Sequence, residues 1–205
     1  MIEPASRFGE IDIYLFDQLQ RGRIAAGMVI LDAGCGTGRN LEYFLGAGYD
    51  VFGADMDREA IAAVRALAAR LAPQLPPTNF RAEPVEAMSF DDGAADLVIS
   101  SAVLHFAGDE GHFRAMLERM WRLLRSGGLL FCRLASTIGL SELGRPARHL
   151  GGRRYRLPDG SERFLVDRDS LLEATDRLGG TLADPIKTTI VDQQRCMTTW
   201  VVRRP

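Results

Sequence analysis

The chain reads VILDAGCGTG over residues 29–38, where an apolar run passes directly into a loop with a glycine at every second position. The run 28–33 has the length of a β-strand and is typical of a strand covered on both faces. The glycines allow the backbone to turn sharply and to approach a ligand closely. Residues 39–47 then have a helical pattern that ends at Gly48. A strand, a ligand-binding turn and a helix are therefore predicted in succession.

The pattern around this stretch alternates between strand and helix. Further strands are predicted at 50–55, 79–85, 96–100 and 129–134, and helices at 58–71, 109–125 and 167–178. Such alternation is typical of a parallel sheet with helices on both faces. A short helix at 10–21 is expected to cover the sheet, and runs at 186–191 and 196–202 predict a closing antiparallel pair.

Residues 136–166 interrupt the alternation, because they are rich in glycine and proline and contain Pro158-Asp-Gly160, a hairpin turn signal. They hold too little apolar content for their own core, so we expect a single domain over 1–205 with 136–166 as a lid-like insertion. Ordinary connections have about 4–6 residues. The insertion and its flank carry six arginines: Arg145, Arg148, Arg153, Arg154, Arg156 and Arg163. These arginines either bind an anionic small molecule bidentately or lie on a solvated hairpin.

Composition places the chain among ordinary globular proteins, with 205 residues, 46% apolar residues and 25% charged residues. The net charge of −2 does not attract phosphate backbones, so no nucleic acid partner is expected. The three cysteines form no CxxC pair, so neither zinc nor a disulfide framework is expected. No signal-like N-terminus and no apolar run of about 20 residues is present, so we expect a soluble, cytoplasmic protein with no membrane partner.

Two aspartates end the first two predicted strands. Asp32 precedes the glycines, where a carboxylate can organise the loop or accept a hydrogen bond from a ligand ammonium group. Asp55 lies 55 − 34 = 21 positions beyond the first glycine, where α/β nucleotide-binding folds place the acid that binds ribose hydroxyls. The alternative role for Asp55 is a helix N-cap. A dinucleotide fingerprint GxGxxG would need glycine where the chain has Arg39, which disfavours a nicotinamide oxidoreductase.

Four stretches together resemble the successive motifs of class I S-adenosylmethionine-dependent methyltransferases. They are VILDAGCGTGRN, VFGADMD, AADLVISSAVLHF and LLRSGGLLF, and they cover roughly residues 28–135. The chain is most similar to the small-molecule branch, of tellurite-resistance and quinone-biosynthesis type. The resemblance implies a Rossmann-like α/β fold with a seven-stranded, mostly parallel sheet in the order 3-2-1-4-5-7-6 and an antiparallel last strand.

The resemblance also implies S-adenosyl-L-methionine as cofactor and assigns residues to it. Asp55 would hold the ribose, Met56 would flank the adenine, and Ser100 and Ser101 would face the methionine moiety. Adenine recognition falls to Val85 or Glu86, because Pro84 replaces an aspartate that is common in the family. The full cofactor set is Asp32, Gly34, Cys35, Gly36, Gly38, Arg39, Asn40, Asp55, Met56, Val85, Glu86, Ser100 and Ser101.

A small-molecule methyl acceptor is expected, because the signatures of nucleic-acid methyltransferases are missing after the fourth strand, where the chain reads Ser100-Ser-Ala-Val103. His105 lies at the mouth of the sheet and is either a general base or a packing residue. Tyr14 on the covering helix is a candidate for cofactor or substrate contact. A module that binds the cofactor without transferring methyl remains an alternative, and the oligomeric state is open.

Overall fold

Residues 8–142 and 146–205 are described by the structure, a computed structural model, and most of their strands join one large sheet. The strands are β1 (Val29–Ala33), β2 (Asp50–Asp55), β3 (Phe80–Ala82), β4 (Ala95–Ser101), β5 (Leu124–Ala135), β6 (Arg148–Gly151), β7 (Arg154–Arg156), β8 (Glu162–Phe164), β9 (Thr181–Leu182), β10 (Lys187–Val191) and β11 (Arg195–Arg203). The helices are α1 (Ile13–Gln20), α2 (Glu42–Gly46), α3 (Arg58–Leu71), α4 (Glu110–Leu123) and α5 (Arg168–Arg177). Among the predicted insertion arginines, Arg145 lies outside the described residues.

The main sheet has the order β3-β2-β1-β4-β5-β11-β10. The first five strands in this order pair in parallel, and β11 is antiparallel to both β5 and β10. With β10 as the sixth strand and β11 as the seventh, the predicted order 3-2-1-4-5-7-6 and the antiparallel last strand are confirmed. The carboxyl ends of β1, β2 and β4 therefore meet at one edge, where open α/β sheets bind ligands.

An eighth strand, β9, joins this sheet although seven strands are predicted. Leu182 pairs with Val202 near the end of β11, on the same side as β10. The edge is interrupted between the two short strands, where Pro185 has no N–H to donate to the ladder. The additional strand is thus a continuation of the β10 edge and leaves the predicted order unchanged.

Apolar helix faces cover the sheet on both sides. Met120 of α4 and Leu171 of α5 belong to one buried cluster, and Leu15, Phe44 and Val64 of α1, α2 and α3 belong to the other. Continuous burial of both faces explains why the parallel strands are apolar throughout. Within the described ranges, no helix combines the length and apolar character that crossing a bilayer requires.

The four longest helices in the described ranges, α1, α3, α4 and α5, each have an aspartate at the N-cap position. The side chains of Asp12, Asp57, Asp109 and Asp167 accept hydrogen bonds from first-turn backbone N–H groups. An aspartate at this position stabilises a helix by about 0.5–2 kcal/mol relative to alanine. Because Asp57 caps α3, the capping role that was the alternative for Asp55 is already filled.

The insertion 136–166 leaves the sheet after β5 and returns beside its starting point, where Ser136 and Val166 form a parallel bridge. Strands β6, β7 and β8 form a separate antiparallel sheet within it. Leu157 and Leu165 are buried against Ala135 and Met197, at the carboxyl end of β5 and the start of β11. The insertion is thereby seated on the edge of the sheet at which the glycine loop also lies.

Candidate active site

The glycine loop lies directly after β1, and it needs glycine for both conformational and spatial reasons. Gly34 and Gly36 have φ values of 82° and 52°, in the left-handed region that favours glycine. A Cβ atom on Gly34 would clash with Val103, whereas one on Gly36 would meet nothing within 4 Å. Gly34 is thus in close contact with the segment just after β4, and Gly36 presents bare backbone to open space.

Asp55 joins the end of β2 to this loop. Its Oδ2 atom accepts a hydrogen bond from the Gly36 N–H at 2.9 Å, and its Oδ1 atom accepts from the Asp57 N–H at 2.9 Å. The side chain remains partly open to solvent. A carboxylate has about four acceptor positions, so Asp55 keeps acceptor capacity for the hydroxyl groups of a ligand.

Asp32 and Ser100 are buried polar residues at the ends of β1 and β4. Neither the carboxylate oxygens of Asp32 nor the Ser100 Oγ atom has a hydrogen-bond partner in the described part of the chain. Burial raises the pKa of Asp32 to about 7; the positive charge of Arg39 opposes this shift, the carboxylate of Asp55 adds to it, and the nearby Asn40 amide, outside hydrogen-bond geometry, opposes it slightly. Buried polar groups are normally paired, so two unpaired ones beside the loop indicate a site for a polar, preferably cationic, ligand group.

A first cavity of about 430 Å³ opens beside the loop and Asp55. It is lined by Gly34, Asp55, Met56, Pro84, Val85, Glu86, Ser101, Ala102, Val103, Phe106, His112 and Met116. Met56 is 78% exposed and offers an apolar surface at the rim. His112, whose position at the start of a predicted helix suggests a solvated side chain, lines this cavity instead, and its Nε2 atom lies 3.4 Å from Glu86 Oε2.

A second cavity of about 440 Å³ adjoins the first and shares Ala102 and Phe106 with it. Its other lining residues are Arg39, His105, Arg133, Ala135, Leu157, Asp159, Ser161, Arg163, Val191, Arg195 and Met197. Both volumes lie in the range of small-molecule pockets. The two cavities thus form adjoining compartments, one against the glycine loop and one under the insertion.

His105 is buried in the wall of the second cavity. Its Nδ1 atom accepts a hydrogen bond from the Ala135 N–H at 3.2 Å, so the neutral ring carries its proton on Nε2. Burial lowers the pKa of His105 to about 4, with further lowering by the charges of Arg163 and Arg195. The ring is therefore neutral near pH 7 and has an N–H to donate, but no free nitrogen to accept a proton.

Tyr14 lies on α1, and neither of the two cavities is lined by it. Its hydroxyl group pairs with Thr189 Oγ1 at 2.5 Å, and the Arg133 guanidinium lies 5.3 Å from its ring centre. Tyr14 therefore attaches the covering helix to β10 and stacks behind an arginine of the second cavity.

Five residues of the assigned cofactor set lie in or after the loop but outside the lining of the first cavity: Cys35, Gly36, Gly38, Arg39 and Asn40. Cys35 is buried beneath the loop, and burial raises the pKa of its thiol. Arg39 lines the second cavity. Asn40 Oδ1 accepts from the backbone N–H of Asp12 at 3.0 Å, which holds the segment before α1.

Asp12 is a site residue that sequence reasoning missed. Besides capping α1, it is buried, and its Oδ2 atom accepts from Arg133 at 3.1 Å and from Ser101 Oγ at 3.4 Å. Ser101 lines the first cavity and Arg133 the second, so Asp12 holds one wall residue of each. The partners lie 89 and 121 positions away, so no local pattern could have revealed the contact.

The sheet order, the glycine loop and an acid at the end of the second strand define the Rossmann-like fold of class I methyltransferases. Residues 31–132 match a family model described as a methyltransferase domain. Through these residues the chain belongs to the class I S-adenosylmethionine-dependent methyltransferases.

Two curated relatives and one solved structure illustrate the similarity. A malonyl-[acyl-carrier protein] O-methyltransferase of Yersinia pestis is 26% identical over 137 residues, which cover 67% of this chain and 48% of the relative. A ubiquinone biosynthesis O-methyltransferase of Chelativorans sp. strain BNC1 is 28% identical over 165 residues, covering 75% of this chain and 62% of the relative. The chain thus spans about half to three-fifths of these relatives.

The structure of the 1,6-didemethyltoxoflavin-N1-methyltransferase of Burkholderia thailandensis, with bound 1,6-didemethyltoxoflavin and S-adenosylhomocysteine, superposes with a TM-score of 0.68. It is 20% identical, and the alignment covers 93% of this chain and 75% of that chain. The family match identifies S-adenosyl-L-methionine as the cofactor. The unpaired Asp32 carboxylate, the bare backbone at Gly36 and the free acceptor positions of Asp55 fit a ligand that carries an ammonium group and ribose hydroxyls.

Proposed function

We propose that this chain transfers a methyl group from S-adenosyl-L-methionine to a small molecule bound in the second cavity. The observation that carries this proposal is the junction of the two cavities at Ala102 and Phe106. A cofactor beside Gly36 and Asp55 and an acceptor under the insertion would meet at this junction. The names of the two curated relatives support an oxygen atom as acceptor.

The residues that line the first cavity, together with the buried Asp32 beside it, would hold the cofactor by complementary groups. Asp55 would accept hydrogen bonds from the ribose hydroxyls, and Asp32 would offset the positive charge of the methionine ammonium group. Met56 and Val85 would contact the adenine ring, with Glu86 at its edge. The cofactor supplies an activated methyl group on a sulfonium; the chain's own residues bind, orient and exclude water.

No side chain in the described lining of the second cavity is suited to be a general base. His105 is protonated on Nε2 and has a pKa of about 4, and the other charged lining residues are four arginines and Asp159, which faces Arg195. A base is needed only when the acceptor is poorly ionised. We therefore assign His105 the role of a hydrogen-bond donor to the acceptor, in place of the base considered from the sequence.

This role of His105 predicts a graded response to substitution. His105→Ala should lower kcat/KM by about two- to tenfold, the effect of one neutral hydrogen bond, and His105→Gln should retain most of the activity because its amide also donates. Between pH 6 and 8, the pH profile of the rate should have the same shape in the unmodified protein and in both variants. A loss of 100-fold or more in both variants, together with loss of a neutral limb, would restore the general-base assignment.

We propose that the insertion 136–166 acts as a lid through its tip rather than its base. Leu157, Asp159, Ser161 and Arg163 line the second cavity, whereas the Ser136–Val166 bridge fixes the ends. Amide hydrogen exchange at 157–163 should slow when the second cavity is filled. Equal exchange with and without a bound acceptor would contradict a lid.

The proposed activity is tested by incubating the protein with S-adenosyl-L-methionine and fractionated small-molecule extracts. Mass spectrometry should detect S-adenosylhomocysteine together with a product heavier by one CH₂ group. Tight cofactor binding without turnover in any fraction would favour the binding-module alternative, and binding of NAD would favour an oxidoreductase. Three free, buried cysteines support the further proposal of a reducing, cytoplasmic location.

A further inference from the structure

Seven of the 13 residues that line the second cavity are polar, and six of these seven can donate hydrogen bonds. Four arginines, His105 and Ser161 line it together with a single acid, Asp159, whose Oδ1 atom accepts a hydrogen bond from the Ser161 hydroxyl at 2.5 Å. The arginines are Arg39, Arg133, Arg163 and Arg195. A ligand that complements such a lining must offer acceptors and negative charge.

Only part of this positive charge is neutralised within the described residues. Arg133 pairs with Asp12 at 3.1 Å, and Arg195 pairs with Asp159 at 3.4 Å. Arg163 donates to the Glu162 backbone carbonyl at 2.7 Å and lies 4.6 Å from the centre of the Phe106 ring, with no carboxylate partner in the described ranges. Arg39 forms no ion pair there either, although its charge acts on the buried Asp32, and the buried Nε atom of Arg133 has no hydrogen-bond partner in the described ranges.

The neighbouring arginines of the insertion differ in this respect. Arg153 pairs with Asp167 at 2.7 Å, and Arg154 and Arg156 both pair with Glu162, at 3.0 and 2.5 Å. None of these three lines the second cavity. Glu162 of the insertion and Asp167 just after it are therefore directed to arginines outside the cavity, and Arg163 inside it has no carboxylate partner in the described ranges.

The remaining lining is apolar. Ala135, Leu157, Val191 and Met197 form this part of the wall, and the Phe106 ring lies beneath the Arg163 guanidinium. A bare inorganic anion would leave this surface uncovered, whereas an organic anion would cover it.

We propose that the second cavity binds an organic oxyanion with an apolar body, whose charged end is held by Arg163, which has no carboxylate partner in the described ranges, and by Arg195, whose ion pair with Asp159 is the longer of the two in the cavity. This inference rests on the proposed function only in identifying the ligand as the methyl acceptor. It assigns acceptor specificity to Arg163 on β8 of the insertion and to Arg195 at the start of β11. The nucleophilicity of the acceptor then comes from its own ionisation rather than from a protein base.

The test uses 2-naphthoate as the probe and 2-naphthamide as its neutral analogue, each titrated calorimetrically into the full chain saturated with S-adenosylhomocysteine. 2-Naphthoate should bind at least about tenfold more tightly than the amide, as expected for charge-assisted hydrogen bonds. Arg163→Gln and Arg195→Gln should each weaken 2-naphthoate binding about tenfold, while Arg163→Lys should recover part of it.

Arg148→Gln is the matched control, because Arg148 lies exposed on β6 and does not line the cavity. It should leave 2-naphthoate affinity within twofold. Equal affinities for 2-naphthoate and 2-naphthamide, or equal losses in Arg148→Gln and Arg163→Gln, would overturn the proposal. Affinity for S-adenosylhomocysteine, measured alone in each variant, should not change; failure of that binding in the unmodified protein would instead contradict the proposed function.

Discussion

Replacing Asp55 by Asn should weaken binding of S-adenosylhomocysteine by roughly ten- to 100-fold. The substitution keeps the shape of the side chain but exchanges one acceptor oxygen for a donor and removes the charge. Hydrogen bonds to a charged group contribute about 1.5–3 kcal/mol. Because Asp55 also accepts from Gly36 at 2.9 Å, the glycine loop loses part of its support at the same time. Calorimetric titration measures the change directly.

Asp57→Asn provides the control for this experiment. Asp57 lies two positions further and caps α3 by accepting from Glu59 at 2.8 Å, a role that Asn fills about as well. This variant should bind S-adenosylhomocysteine within twofold of the unmodified protein. Unchanged affinity in Asp55→Asn would remove Asp55 from the ribose site.

Asp32→Asn should stabilise the free protein while it weakens the cofactor complex. The pKa of Asp32 is raised to about 7 from an ordinary value of 3.8, so the folded state binds more protons than the unfolded state between these pH values. The free energy of unfolding therefore falls as pH rises from about 4 to 7, and the loss is complete above pH 7. Its size is on the order of 4 kcal/mol. Chemical denaturation at pH 5 and pH 8 should show this fall in the unmodified protein and its removal in Asp32→Asn.

Cofactor binding to the same residue should release a proton near neutral pH. A ligand ammonium group favours the ionised carboxylate, so a fraction of Asp32 deprotonates on binding at pH 6.5–7. Calorimetric titrations in buffers of different ionisation enthalpy measure the number of protons released on binding. Asp50→Asn, at the exposed start of β2, is the control and should release as many protons as the unmodified protein. If Asp32→Asn released as many protons on binding as the unmodified protein, Asp32 would not be the group that deprotonates.

The parallel sheet was predictable because its signals are local. Each buried strand is a continuous apolar run, and the glycine loop and Asp55 stand at fixed distances from the first of them. Boundaries were less accurate: the helix predicted at 39–47 is confined to Glu42–Gly46, because the chain after Gly38 first completes a turn in which Leu41 N donates to Gly38 O. Strand β9 has two residues and no periodicity to detect.

The second cavity, the proposed acceptor site, could not be predicted in the same way, because its residues come together only in the folded chain. Arg195 belongs to the closing hairpin and Arg163 to the insertion, yet both line one cavity. The number of arginines in the insertion predicted an anionic ligand, but it did not indicate which arginines would contact that ligand. Arg153 and Arg154 instead form ion pairs with carboxylates of the chain. The tautomer of His105 depends on the Ala135 backbone N–H, which is 30 positions away.

The two cavities, which share Ala102 and Phe106, take most of their lining residues from different parts of the sequence. All residues lining the first cavity lie between 34 and 116, and most residues lining the second lie from 133 onward. The family match ends at 132. If the cofactor and the acceptor bind as proposed, residues up to 132 determine most of the cofactor contacts and residues from 133 onward most of the acceptor contacts. The later segment could then diverge, or be exchanged between relatives in a chimaera, while cofactor binding is retained.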